Sequence, residues 1–330
     1  MKKVKKLAVL LILVAILFNS IGAVAKEEDE SEKSIFYAKQ VAWFYIKSVD
    51  KRVEITEATV INNIYQKPEV VLFELGEKGY IVVNLHDLSV PEMAFDNMNP
   101  YDGVNEPIYN GPLNYYYMDN GKYVSIDGKA TFSIKEITKV YNKKERDDKE
   151  EYIMSLLSVK KDSWERVKSK KTISGLRKWQ NPGHCCGAVA SAIYMRYMYD
   201  YVNPVYGFHG QLSEGAFIEE MKRWVGGAAS NECEMRDGLN NYLFDYDTGN
   251  EVIMLNYNFF TVKSRINCNR PVIQRLREYQ PRIDHWVVIY GYCIYPGNAE
   301  FIIINDGNGS DDIYIEADDS YLGEMIYLIR

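Results

Sequence analysis

The sequence predicts an α+β protein built from two units. Three observations carry this. In the second half of the chain helical patterns come first and β-rich runs follow, the order expected when helices gather on one side of an antiparallel sheet. In the first half a single amphipathic helix precedes a short run of strands. Between them, at 143–171, the composition turns charge-dense ("KKERDDKEE", then "KSKK") with few aromatics.

The first unit is expected over 26–142. From Ser34 to Lys47 ("SIFYAKQVAWFYIK"), Ile35, Ala38, Ala42 and Tyr45 recur at three- and four-residue spacing, as on the buried face of a helix. "EVVLFEL" and "KGYIVVNL" flank Gly76-Glu77-Lys78-Gly79, a hairpin signal, and Pro91, Pro100, Pro107 and Pro112 then punctuate a looser stretch. The 143–171 segment reads as a solvated linker, helical in part and accessible to proteases. The second unit is expected over 172–330. It opens with a helix from Cys186 to Tyr199, followed by "LSEGAFIEEMKRWV" with Ser213 as N-cap and by "EMRDGLNNYLFDY". "PVIQRLR", "HWVVIYGYCIY", "EFIIIND" and "DIYIEA" then read as strands parted by Pro-Gly and Gly-Asn-Gly turns.

The first 25 residues have the make-up of a secretory signal peptide. Lys2, Lys3, Lys5 and Lys6 form a basic start, Leu7 to Phe18 an apolar core, and Ala23-Val24-Ala25 a small-x-small cleavage signature. The apolar run is about 12 residues, short of the roughly 20 that span a bilayer, which argues against a retained anchor. No cysteine follows it to take a lipid, and no later stretch is long and apolar enough to cross a membrane. The expected location is secreted or cell-surface, with no transmembrane span once the signal is removed. Removing the signal lysines takes the formal charge from −7 to about −11, with no basic stripe, so nucleic acid is not an expected partner.

Five cysteines in an exported chain is an odd number, so at least one stands outside any intramolecular pairing. Two of them adjoin in "QNPGHCCGAVASA", Gln180 to Ala192, between a Pro-Gly turn and the start of a helix. A thiol reacts as its thiolate, and the unpaired amides at a helix start favour negative charge. Cys186, directly before Gly187-Ala188-Val189-Ala190, is best placed for this, while Cys185 lies about a third of a turn away or in the loop. Cys185, Cys233, Cys268 and Cys293 are expected to be buried or disulfide-bonded.

A nucleophile needs a base held by a third group. Of the four histidines, His86 belongs to the first unit, His184 is too close in sequence to Cys186 for a useful orientation, and His209 sits in the Gly-rich loop "YGFHGQ". His285 opens the strand "HWVVIYGY", and Asn305-Asp306 closes the next strand, "FIIIND". If these strands are antiparallel neighbours, the imidazole and an amide or carboxylate share one sheet edge, as in a Cys-His-Asn or Cys-His-Asp site. A side-chain amide with the backbone N–H of the nucleophile would hold an oxyanion, and Gln180 lies six residues before Cys186.

With these residues the chain resembles the papain-like cysteine peptidases, in which a Gln precedes the nucleophile by that spacing and the order is Cys, His, then Asn or Asp. The spacing selects Cys186 over Cys185. Within that clan, "Q…CG", "DGLNNYL", "HWVVIYGY" and "IINDGNG" are similar to the bacterial C39-like peptidases, relatives of the bacteriocin-leader peptidases. That pattern implies Asp306, with Gly309 three residues on, as the third member; the streptopain-like "NxGxG" pattern implies Asn305 instead. "VVLFELGEKGYIVVNLHDLSVPEMAFD" resembles the propeptide of streptopain-type zymogens.

The resemblance implies a papain-like fold over 172–330 preceded by a small α+β pro-domain. It implies a secreted bacterial thiol peptidase made as a zymogen, acting on peptide or protein substrate through Cys186, His285, Asp306 and Gln180, with no metal or organic cofactor. The chain's own propeptide would inhibit it until an activating protease cut the linker. The other readings of the same residues are a transglutaminase- or amidase-type acyl transfer on cell-wall peptide, a degenerate secreted binding protein, and a permanent accessory role for the first unit.

Overall fold

The computed structural model describes residues 32–49, 52–126, 128, 131–133, 147–158, 167, 169–183, 185–206, 212–226, 231–246, 248–277, 285–318 and 321–329. The signal-peptide expectation, His184 and His209 lie outside these, as does much of the 143–171 segment.

The fold is mixed α/β around one large sheet. Helix α1 (32–49) buries Ala38, Ala42 and Tyr45 of the predicted stripe, with Val41 and Ile46 beside them, and leaves Ile35 half-buried. Strands β1 (Ile55–Asn62), β2 (Pro68–Leu75), β3 (Tyr80–Asn84) and β4 (Glu92–Ala94) follow as an antiparallel meander. The β2–β3 turn is the expected hairpin, closed by the Leu75 amide on the Gly79 carbonyl at 3.0 Å. Gly79 sits at φ +109°, where an added Cβ would lie 2.9 Å from the Ala94 carbonyl, so only glycine fits. The stretch expected to be loose contains short strands: β4 itself and β5 (Pro107–Tyr109), the latter pairing parallel with β1. Beyond it β6 (Tyr115–Asp119), β7 (Lys122–Ser125) and β8 (Thr131–Phe132) extend the sheet.

The charged segment holds helix α2 (Lys149–Ser158), in line with partial helicity. Its last residues depart from the linker expectation: β9 (Ser169–Thr172) pairs antiparallel with Gly291–Ile294. Gly291 permits that approach, since a Cβ there would meet the Lys171 carbonyl at 2.8 Å.

Helix α3 (Cys186–Tyr197) is buried at every residue but Arg196, as a helix with apolar or small side chains on nearly every face must be. It stops two residues before the predicted Tyr199 and passes into a π-helical turn, Met198–Val202. Helix α4 (Glu214–Val225) starts at the predicted Ser213 cap, whose side chain accepts from the Ala216 amide, and α5 (Glu232–Asp245) starts in a capping box of Asn231 and Glu234. In the second unit β10 (Val252–Asn256), α6 (Phe259–Asn267) and β15 (Leu322–Leu328) had no sequence expectation, as β1, β6, β7 and β8 had none in the first. The predicted strands appear as β11 (Val272–Leu276), β12 (His285–Ile294), β13 (Glu300–Asn305) and β14 (Ile313–Glu316).

The strand order is β10-β15-β11-β12-β13-β14-β4-β3-β2-β1-β5-β6-β7-β8, with β9 on β12. Sheet and apolar core therefore run without interruption from the first unit into the second, through the β14–β4 pair. Among the described residues no helix is long and apolar enough to cross a membrane.

Gly238 marks where α5 meets α4: an added Cβ would lie 2.2 Å from the Trp224 carbonyl. Helix propensity alone would make Gly238→Ala stabilising by roughly 0.5–1 kcal/mol. The clash dominates, so the substitution is expected to destabilise by about 1–3 kcal/mol. Urea unfolding of parent and variant reads the sign, and a raised midpoint would show that the helices part without cost.

Candidate active site

The segment between β9 and α3 runs along the end of the sheet and ties its parts together. The Ile173 amide donates to the Tyr290 carbonyl of β12. Four residues on, the Arg177 carbonyl accepts from Asn305 Nδ2 at 3.1 Å. Gln180 forms an antiparallel bridge with Asn308. Its own amide donates to Glu214 Oε1 at 3.1 Å, a contact from the start of α4. Its side chain lies over Gly309, where an added Cβ would come within 3.1 Å of Gln180 Cγ and 3.2 Å of Nε2. The glycine after the turn thus makes room for the carboxamide that sequence spacing singled out.

The next residue, Asn181, organises the approach to α3. Its Oδ1 accepts from the Gly183 amide at 3.0 Å, the Cys185 amide at 3.2 Å and Cys185 Sγ at 3.1 Å. Cys185 is the N-cap residue of α3, fully buried, with its thiol turned to this loop. Cys186 is the first helical residue, 6% exposed, with no acidic side chain in the first turn. The two thiols therefore occupy different places, and the one at the helix terminus is Cys186. Cys293 is buried, and its thiol is pushed up to about 12 by burial; Cys233 and Cys268 are exposed free thiols, so the expectation that these three are buried or disulfide-bonded holds for Cys293 alone.

Helix α3 packs on β12 and β11. His285 is the first residue of β12, partly exposed and paired with Leu276 of β11, directly before the fully buried Trp286. β12 and β13 are antiparallel neighbours as predicted, with Val288 opposite Asn305. The start of β12 and the end of β13 therefore lie at one end of the sheet. Val189, one turn into α3, stands over Gly307 at that end, 3.3 Å from where a Cβ would sit. The fold brings Gln180, the start of α3, His285 and the Asn305-Asp306 pair to a single sheet end. His86 is elsewhere, in the first unit, with Nε2 3.4 Å from Glu69 Oε2.

Asn305 and Asp306 have different surroundings. Asn305 is buried; its Nδ2 reaches the Arg177 carbonyl and its Oδ1 accepts from the Gly307 amide at 3.0 Å. Asp306 closes the following turn, its Oδ1 accepting from the amides of Asn308 at 2.8 Å and Ser310 at 3.0 Å. Burial raises the Asp306 carboxyl to about 6 against the opposing pull of those amides. The charge of Asp306 is also felt across the sheet by Glu92 of β4, itself raised chiefly by burial and held by the Tyr115 and Tyr80 hydroxyls and the Leu113 amide. Sequence reasoning missed Asn181, Glu214 and Asn308. Glu214 was legible only as an acidic residue in a first turn, with nothing to show that it would reach Gln180.

No family model matches this chain, and no curated protein matches it. Among solved structures it is similar to a fragment of Prevotella intermedia prointerpain A, at 12% identity and a TM-score of 0.41, over 82% of this chain and 98% of that one. It is also similar to active wild-type Prevotella intermedia interpain A cysteine protease, at 14% identity and a TM-score of 0.33, over 49% of this chain and 95% of that one.

A carboxyl raised in the folded state binds protons more readily there than in the unfolded chain, where it titrates near 4. Its stabilising contribution is complete below about pH 4 and is lost as pH rises through about 6. Asp306→Asn keeps the acceptor for both amides, so it is expected to flatten the decline in unfolding free energy between about pH 4 and 6, leaving the slope due to Glu92. Urea titrations across that window measure this, and a parent-like slope would mean that Asp306 titrates at an ordinary value.

Proposed function

We propose that this chain is an exported bacterial cysteine endopeptidase of papain-like type, synthesised as a zymogen. One observation carries the reading: a thiol at the first residue of a buried helix is delivered to the sheet end where His285, Asn305 and Gln180 also lie. Cys186 Sγ, as thiolate, attacks the carbonyl carbon of a peptide bond. The oxygen that gains charge is held by Gln180 Nε2 and the backbone N–H of Cys186. His285 gives its proton to the departing amine as the C–N bond breaks, leaving an acyl thioester. It then takes a proton from water, whose oxygen attacks the thioester and frees Cys186.

The polar group that steers His285 comes from the end of β13. Sequence pattern favours Asp306, whereas the bond from Asn305 to the Arg177 carbonyl supports Asn305, because it joins that side chain to the segment carrying Gln180 and Cys186. The C39-like and streptopain-like patterns divide on this same point. The first unit serves as an inhibitory propeptide and the charged stretch as the place of activation cleavage; the signal-like start supports export.

Labelling with iodoacetamide at about pH 6, read by peptide mapping before and after limited trypsin treatment, tests the assignment. Rapid single labelling at Cys186 that increases after cutting is expected, and Cys186→Ala is expected to remain folded and lose peptidase activity. Gln180→Ala should cost about a hundredfold to a thousandfold in kcat. Asn305→Ala should slow turnover far more than Asp306→Asn; the reverse order would return the orienting role to Asp306. Full hydrolysis by Cys186→Ala would remove the nucleophile assignment, and slow equal labelling of all thiols would leave a binding protein on this scaffold.

A further inference from the structure

We propose that the first unit is held on the second by the β4–β14 seam rather than by the connecting segment, so that a chain cut between 134 and 168 remains a two-fragment complex. As a statement about regulation this rests on the zymogen reading, and it places release of the inhibitor after, and apart from, cleavage of the linker.

The seam has the make-up of a permanent interface. β4 lies against β14 in antiparallel register, with Ala94 opposite Ile313, Met93 opposite Tyr314 and Glu92 opposite Ile315. The pairing is extended at both ends: the Glu316 amide donates to the Pro91 carbonyl at 3.1 Å, and Asn97 Nδ2 to the Asp311 carbonyl at 2.7 Å. Around this ladder the side chains are aromatic and mostly buried. Tyr45 of α1 packs edge-on against Tyr295 and Phe301, with ring centres 5.0 and 5.6 Å away, and Phe95 meets Tyr314 at 5.5 Å. Tyr45, Tyr295, Phe301 and Tyr314 are all buried. Desolvated aromatic anchors of this kind concentrate binding energy at protein interfaces.

The seam's buried carboxylate needs no hydrogen bond from across it, although the charge of Asp306 in the second unit opposes its own. The buried Glu92 carboxylate takes its hydrogen bonds from Tyr80, Tyr115 and Leu113, all within the first unit, so docking leaves it satisfied. Departure of the first unit, in contrast, would turn β14 into an open edge with its amides and carbonyls unpaired and its aromatic neighbours wet. The occupant that fits this edge is therefore the first unit itself, held without a covalent tie.

The test uses Cys186→Ala chain from Lys26 onward, cut by limited trypsin at the basic residues of the segment, such as Lys160, Lys161 and Arg166. Denaturing mass spectrometry identifies a single cut, as two fragments whose masses add to the parent plus one water. Native gel filtration at micromolar concentration is then expected to elute both fragments together at the parent volume, separating only in denaturant. Tyr45→Ala, introduced into the same protein, should weaken the cut complex about thirtyfold or more, while the uncut variant stays folded by circular dichroism. Fragments that part in native buffer would overturn the proposal, as would a complex indifferent to Tyr45→Ala. Since the protein tested lacks the proposed nucleophile, neither outcome depends on whether Cys186 is catalytic.

Discussion

A helix with apolar or small side chains on every face can exist in water only if something surrounds it, and α3 is such a helix. The sheet supplies one wall through β11 and β12, and α4 lies against it elsewhere. The arrangement of the candidate site follows from that enclosure. Enclosing α3 fixes where its N-terminus emerges, and Gly307 lets the first turn sit close to the end of β13, since an added Cβ there would lie 3.3 Å from Val189 Cγ1.

The second constraint is the segment before α3. It has little regular structure, yet its polar groups are spoken for at successive points: Ile173 on β12, Arg177 through Asn305, Gln180 on Asn308 and Glu214, Asn181 on the Cys185 amide and thiol. A loop tied at such intervals has little conformational freedom left. It also explains the adjoining cysteines: one thiol is consumed in loop organisation, and the other stands at the helix terminus.

Much of this was legible in the sequence because local chemistry wrote it. The α1 stripe, the Gly76 to Gly79 hairpin, the Ser213 cap and the four strands from β11 to β14 each have a local cause, in periodicity, turn residues or side-chain capping. What escaped is what only tertiary partners decide. β9 is "SKKT", with no apolar alternation, and becomes a strand because Gly291 lets β12 accept it. β10 and β15 are short apolar runs of ambiguous type, and they find their state by pairing with each other and, for β15, with β11. At the site, chain order and the six-residue spacing pointed to Cys186 and Gln180, while Glu214 and Asn181 carry no signature apart from the contacts they make. The continuous sheet was equally hidden, because a three-residue strand such as β4 leaves almost no pattern of its own.

The contrast between Asn305 and Asp306 turns on the cost of burial. A buried amide is satisfied by one donor bond and one acceptor bond, and Asn305 has both, to Arg177 and from Gly307. A buried carboxylate must in addition keep a charge in a poor solvent, and Asp306 does so with the amides of Asn308 and Ser310 while the charge of Asp311 opposes it. Near neutral pH that balance still leaves Asp306 ionised, but its lone pairs shape the turn on which Gln180 and Gly309 depend. On this argument the two neighbours divide the labour. Asn305 fixes the end of β13 to the loop that carries the thiol and the carboxamide, and Asp306 holds the turn beneath them, at the energetic expense that its raised carboxyl records.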